Sequence, residues 1–154
     1  MGIVYFYQLT ESSLEDTLAT LVGKATGAGW RVLVRGRSPA MLQQLDLWLW
    51  QGTAVSFLPH GMAGGPHDAS QPVLLGTDTS ADGFACLISV DRAVVTPAEV
   101  GETMRTCILF DGHDQDSLAH ARTQWKVLTN AGCAAQYWGQ DIGSWIKKAE
   151  KGGA

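Results

Sequence analysis

Arg122, Trp125 and Lys126 set two cations and an indole close together near the end of the chain. Arg122 and Lys126 are four apart, so a helix puts them on one face, and Trp125, three beyond Arg122, borders that face. Arginine brings a planar fork of donors and lysine a mobile point charge. Together they can hold a carboxylate, while the indole walls a pocket for an apolar side chain. The free end of a peptide with a terminal hydrophobic residue offers both groups at once. Acidic residues upstream in such a peptide gain from the same cations, more weakly as salt rises. The competing reading seals Trp125 in the core and makes Arg122 and Lys126 its solvated flank. Tyr137, Trp138 and Trp145 follow in the last segment.

A second aromatic stretch is LDLWLWQGTAVSFLPHG. Leu45, Trp48 and Leu49 recur at helical spacing and are expected in the core. Trp50 ends the helix and Phe57 follows it. If both are exposed they form an aromatic patch for a protein partner; the alternative is two buried rings.

Catalytic constellations are scarce. A dinucleotide fingerprint needs GxGxxG directly after a strand, whereas TESSLED follows the first apolar run without a glycine. Gly61 to Gly65 (GMAGG) lies elsewhere and no GKS or GKT follows, so a loop is expected there. GxSxG and HExxH are absent. His60 and His67 share a loop with Asp68 as acidic company, a poor metal set. DGHDQD places Asp111, Asp114 and Asp116 where α/β enzymes keep catalytic acids, but acids also suit a helix start. Cys86, Cys107 and Cys133 form no CxxC and are expected as free thiols. No cofactor, metal or small-molecule substrate is expected. Two alternatives stay open: an α/β nucleotide binder or enzyme using Gly61–Gly65 or Asp111–Asp116, and direct single-strand binding through Trp, Tyr and cations. The net charge of −4 argues against the second.

The elements that would position these residues alternate strand and helix. IVYFYQL is a strand, expected to be buried on both faces. SSLEDTLATLVGKATGAG is a helix with Leu14, Leu18, Leu21 and Val22 inward, a capping box from Ser12 to Glu15, and a stop at Gly27 and Gly29. WRVLVRG is a strand and SPAMLQQLDLWLW a helix with Ser38 as cap. TAVSFLPHGMAGGPHDASQ reads as a long loop opened by a short strand. PVLLGT, FACLISV and RTCILFD are strands. A short helix capped by Thr96 precedes RTCILFD, and DQDSLAHARTQWKVLTNAG is the long last helix, capped by Asp114 or Asp116. This order predicts a single three-layer Rossmann-like α/β domain over residues 1–150, with a mainly parallel central sheet and a flexible tail at 151–154. The start of the chain has no basic leader, and no apolar run approaches the ~20 residues of a membrane helix. A cytoplasmic protein without membrane contact is expected.

Taken in order, YFYQL, GWRVLVRGRSP, LDLWLWQGTAVSFLPHGMAGG, CILFDGHDQDSLAHARTQWK and AGCAAQYWGQDIGSWIKKA resemble the chi subunit of the bacterial DNA polymerase III holoenzyme. The resemblance spans nearly the whole chain. It implies a non-catalytic replication accessory subunit of the clamp-loader assembly. That family links the loader to single-stranded-DNA-binding protein (SSB) by gripping its acidic C-terminal tail, which ends in an aliphatic or proline residue and phenylalanine. The family's Arg–x–x–aromatic–Lys pattern falls on Arg122, Trp125 and Lys126, with Tyr137 near another pocket wall. The aromatic is tyrosine in the best-known members; stacking survives its replacement by Trp125, but a phenolic hydrogen bond does not. The resemblance also implies a surface at Trp50 and Phe57 for the psi subunit or another clamp-loader component, which a repair helicase has been proposed to share. DNA is then contacted only indirectly.

Overall fold

The computed structural model describes residues 2–51, 60–62, 72–77, 79–141 and 144–152. Within them the chain runs β1 (Ile3–Leu9), α1 (Leu14–Gly27), β2 (Val32–Arg35), α2 (Pro39–Gln51), β3 (His60–Met62), β4 (Val73–Gly76), β5 (Cys86–Ser89), α3 (Pro97–Glu102), β6 (Arg105–Asp111), α4 (Gln115–Asn130), β7 (Ala134–Asp141) and β8 (Ser144–Lys151). The strands form one eight-stranded sheet in the order β3-β4-β2-β5-β6-β1-β7-β8. All neighbours are parallel except β7 and β8. The expected Rossmann-like α/β architecture is therefore present, with an antiparallel strand added at one edge.

Alternation along the strands divides the core in two. Val32, Val34, Ile88, Cys107 and Leu109 face α1 and α2, where Leu18, Val22, Leu42 and Leu45 meet them. Val4, Phe6, Leu33, Leu87, Ile108 and Phe110 face the other way, toward Val100 of α3 and Ala121 and Leu128 of α4. Each fully buried Leu, Ile or Phe contributes about 1.5–3 kcal/mol, so these two layers carry the fold. Arg35 ties β2 to α3: its guanidinium grips Glu99 with contacts of 2.9 and 2.6 Å. Glu99 also completes the capping box with Thr96, and Arg35 holds its carboxyl below the usual range.

Several expectations shift in detail. The cap of α1 is Ser13, whose Oγ accepts from the N–H of Asp16 at 3.1 Å, rather than Ser12. Ser12 is drawn away because its Oγ accepts from Gln140 Nε2 at 2.7 Å. The helix stops where expected, with Gly29 at φ +83°, which a side chain would resist. β1 is not buried evenly on its two faces: Val4 and Phe6 are buried on one, whereas on the other Leu9 is buried and Tyr5 and Tyr7 are half-buried. Trp48 is not a core residue. It is 38% exposed, because it sits about 60° around α2 from the sealed Leu45. Gly61 and Met62 belong to β3, paired with Leu74 and Leu75, so this part of GMAGG is sheet; the rest lies outside the described residues. His67 and the strand expected to open that loop also lie outside them. β8 runs through Lys151, one residue into the segment expected as a tail.

Candidate functional site

The cation–indole cluster stands on α4. Asp114 starts that helix by accepting from the Ser117 N–H at 3.0 Å and the Ser117 hydroxyl at 2.6 Å. These donors hold the Asp114 carboxyl below its ordinary range. Ala121, Gln124 and Leu128 form the buried stripe. Gln124 sets the rotation of the helix: its Oε1 accepts from Val95 N at 2.8 Å and its Nε2 donates to Val95 O at 3.3 Å. With Gln124 pinned, Trp125 falls at the margin of the core, and Arg122 and Lys126 point to solvent.

Trp125 is half-buried. It meets Phe6 edge-on at 5.3 Å between centroids and Tyr137 edge-on at 6.1 Å. Tyr137, in β7, stacks on Phe6 at 6.2 Å and meets Phe110 edge-on at 5.7 Å. Its hydroxyl donates to Gln8 Oε1 at 2.5 Å. Burial pushes the Tyr137 phenol above its ordinary range, and the Arg122 guanidinium pulls it part of the way back. The helix and β7 thus bring Trp125 and Tyr137 together, with Arg122 and Lys126 exposed on the same helix. Both readings of Trp125 hold in part: one side of the indole rests on the core and the other is open. Arg122 and Lys126 are exposed, with no acidic partner among the described residues. The arrangement is a partly exposed aromatic surface with two exposed cations beside it, suited to a carboxylate next to an apolar side chain.

Phe6, Phe110, Gln8 and Gln124, which no motif marks, hold Trp125, Tyr137 and α4 in place. Val4, Phe6 and Gln8 share one face of β1 by simple alternation, so the period of two was the available signal. For Gln124 no local signal exists, since its partner lies 29 residues away.

Two cavities lie elsewhere. One of about 410 Å³ opens on the α1 side of the sheet, between Tyr5, Tyr7, Trp138 and Trp145, with Lys24 and Arg105 at its edge. The other, about 440 Å³, sits at the carboxyl ends of β1 and β6 and includes Asp111, His113 and Ser117. That crevice is where α/β proteins place nucleotides. Here the amides that would cradle a phosphate are taken: Gln140 Oε1 accepts from the N–H groups of Thr10, Glu11 and Ser12 at 3.0, 2.9 and 3.1 Å. Asp111 accepts from His113 N at 2.8 Å, and a ring nitrogen of His113 meets Thr10 O at 2.9 Å. These acids organise the loop that begins α4.

On the opposite side of the molecule, α2 presents Leu47 and Trp48, 57% and 38% exposed. Trp50 lies in the last turn of that helix, with its side chain outside the described residues, as is the whole of Phe57. Cys86 and Cys107 are buried free thiols, and Cys133 is half-buried. Among the described residues, no helix is long and apolar enough to cross a membrane.

No curated protein matches the sequence. A comparison with protein families matches residues 1–136 to the DNA polymerase III chi subunit, HolC.

Proposed function

The chain belongs to the chi-subunit family of DNA polymerase III and is an accessory subunit of that polymerase; from that premise we propose that it grips the acidic C-terminal tail of SSB and links it to the clamp loader. The observation that carries this reading is the partly exposed Trp125, packed on Tyr137 beside Arg122 and Lys126, which have no acidic partner among the described residues. The tail's terminal phenylalanine lies against the indole and phenol, and its carboxylate meets the guanidinium fork. Acidic residues upstream meet the rim charges. In this reading the protein performs no catalysis, works in the cytoplasm and contacts DNA only through its partner.

Fluorescence anisotropy with a labelled acidic peptide ending in an aliphatic residue and phenylalanine tests the proposal. Binding should weaken as salt rises and disappear when the terminal phenylalanine is removed. Equal affinity of Lys126→Glu and the parent would remove the assigned pocket.

The exposed Leu47 and Trp48 support a second contact surface on α2, continuous in sequence with Trp50 and Phe57. We assign this surface to the psi subunit or another clamp-loader component. A pull-down with and without Trp50→Ala tests it.

A further inference from the structure

The family match ends at residue 136, yet β7 continues to Asp141 and β8 adds Ser144–Lys151. Tyr137 and Gly139 are two apart in β7 and so face the same side as α4. On β8, Ala149 pairs with Tyr137 and Ile146 with Gly139. The register shifts between Tyr137 and Trp138, and Lys148 is the extra residue of that bulge. Bulges re-aim side chains. The stem of Lys148 lies across Gly139: a Cβ there would stand 2.4 Å from Lys148 Cε and 3.0 Å from Cδ. Glycine is what allows the approach.

Charge follows the same pattern. Lys147 is ion-paired with Glu150 at 3.2 Å. Lys148 is exposed and has no acidic partner among the described residues. Arg122 is exposed on α4, whose Trp125 packs against Tyr137 of β7. Asp141, at the end of β7, bounds the cationic stretch. In a chain with net charge −4, Arg122 and Lys126 on α4 and Lys148 on β8 all lack an acidic partner among the described residues, with Ile146 42% exposed beside the third.

We infer that β8 extends the peptide-binding surface beyond Tyr137, and that Lys148 binds the acidic residues preceding the terminal hydrophobic residue of a docked peptide tail. The inference rests on the tail-binding reading and adds to it a residue beyond the family match. Arg122 and Lys126 take the terminal carboxylate from the helix side, and Lys148 takes upstream carboxylates from the sheet edge.

Two labelled peptides test this on the full chain by anisotropy at low salt: an acidic tail ending in phenylalanine, and the same peptide with its upstream acids replaced by serine. Lys148→Glu should weaken the acidic peptide by about three- to tenfold and the serine peptide by less than about twofold. Gly139→Ala, which displaces the Lys148 stem without changing charge, should move the acidic peptide in the same direction. If Lys148→Glu binds the acidic peptide like the parent while Lys126→Glu loses it, the tail site stands and the role of Lys148 is overturned. Equal weakening of both peptides also overturns it, because Lys148 would then shape the floor rather than bind acids. If the parent binds neither peptide, the tail reading and this inference fall together.

Discussion

Trp125 and Tyr137, one from α4 and one from β7, meet edge to face with centroids 6.1 Å apart and share Phe6 as their base. A helix and the strand that follows it thereby make one aromatic surface, part of it exposed. The pair separates two roles that the same rings perform, core packing and ligand contact. Tyr137→Phe keeps the ring and loses the bond to Gln8, so it should cost about 1 kcal/mol of stability and leave peptide affinity within about twofold. Trp125→Ala removes one wall and should lower affinity at least about tenfold. Trp125→Tyr should retain most of the binding. Parallel urea melts and anisotropy titrations check all three.

Gln140 gives a different kind of prediction. Its side chain fills the amide nest after β1, so Gln140→Ala frees three N–H groups and the Ser12 hydroxyl to reach water. The expected loss is about 0.5–1.5 kcal/mol, seen as a drop of a few degrees in Tm, with peptide affinity unchanged. Nucleotides should not raise the Tm of the parent protein. A large upward shift with one nucleotide, and none with the tail peptide, would favour the crevice at the strand ends as the working site.

His120, on α4, predicts a pH dependence. Burial lowers its imidazole below the ordinary 6.5, opposed by a bond to the Ala93 backbone and helped by Arg92 and Arg37. Its Nε2 is buried without a partner among the described residues. The folded state therefore binds fewer protons here than the unfolded chain does. The contribution is complete above the unfolded value and is lost as pH falls below about 6.5. Glu99 and Asp114 are also shifted downward, which for an acid favours the charged form, and their contributions are lost at lower pH than that of His120. Stability should decline as pH falls below about 6.5, and His120→Gln should flatten that decline in thermal melts.

Much of this was legible in the sequence, because burial leaves periodic marks. β1, β2, β4, β5, β6 and all four helices announce themselves through apolar runs, capping Ser, Thr and Asp, and prolines at helix starts, whereas β3 falls in a stretch read as loop. β8 does not. SWIKKAEK is exposed at every position, and Lys147 with Glu150 even mimics a helical pair. Its strand character comes from the backbone ladder to β7, which no side-chain period encodes. The cap of α1 moved by one residue for a similar reason, since Ser12 answers to Gln140, 128 residues away. The cations and indole were visible from spacing alone. Whether the indole was sealed or open was not, because that depends on how Gln124 turns α4 against Val95.

The most direct measurement is a map of amide and indole NMR shifts while an acidic peptide ending in phenylalanine is added. The account predicts that the largest changes fall on Arg122, Trp125 (its indole N–H included), Lys126 and Tyr137, with Leu47, Trp48 and the Thr10–Ser12 loop unmoved. Changes centred on the α2 surface or on the strand-end crevice, with the Trp125 indole silent, would contradict it.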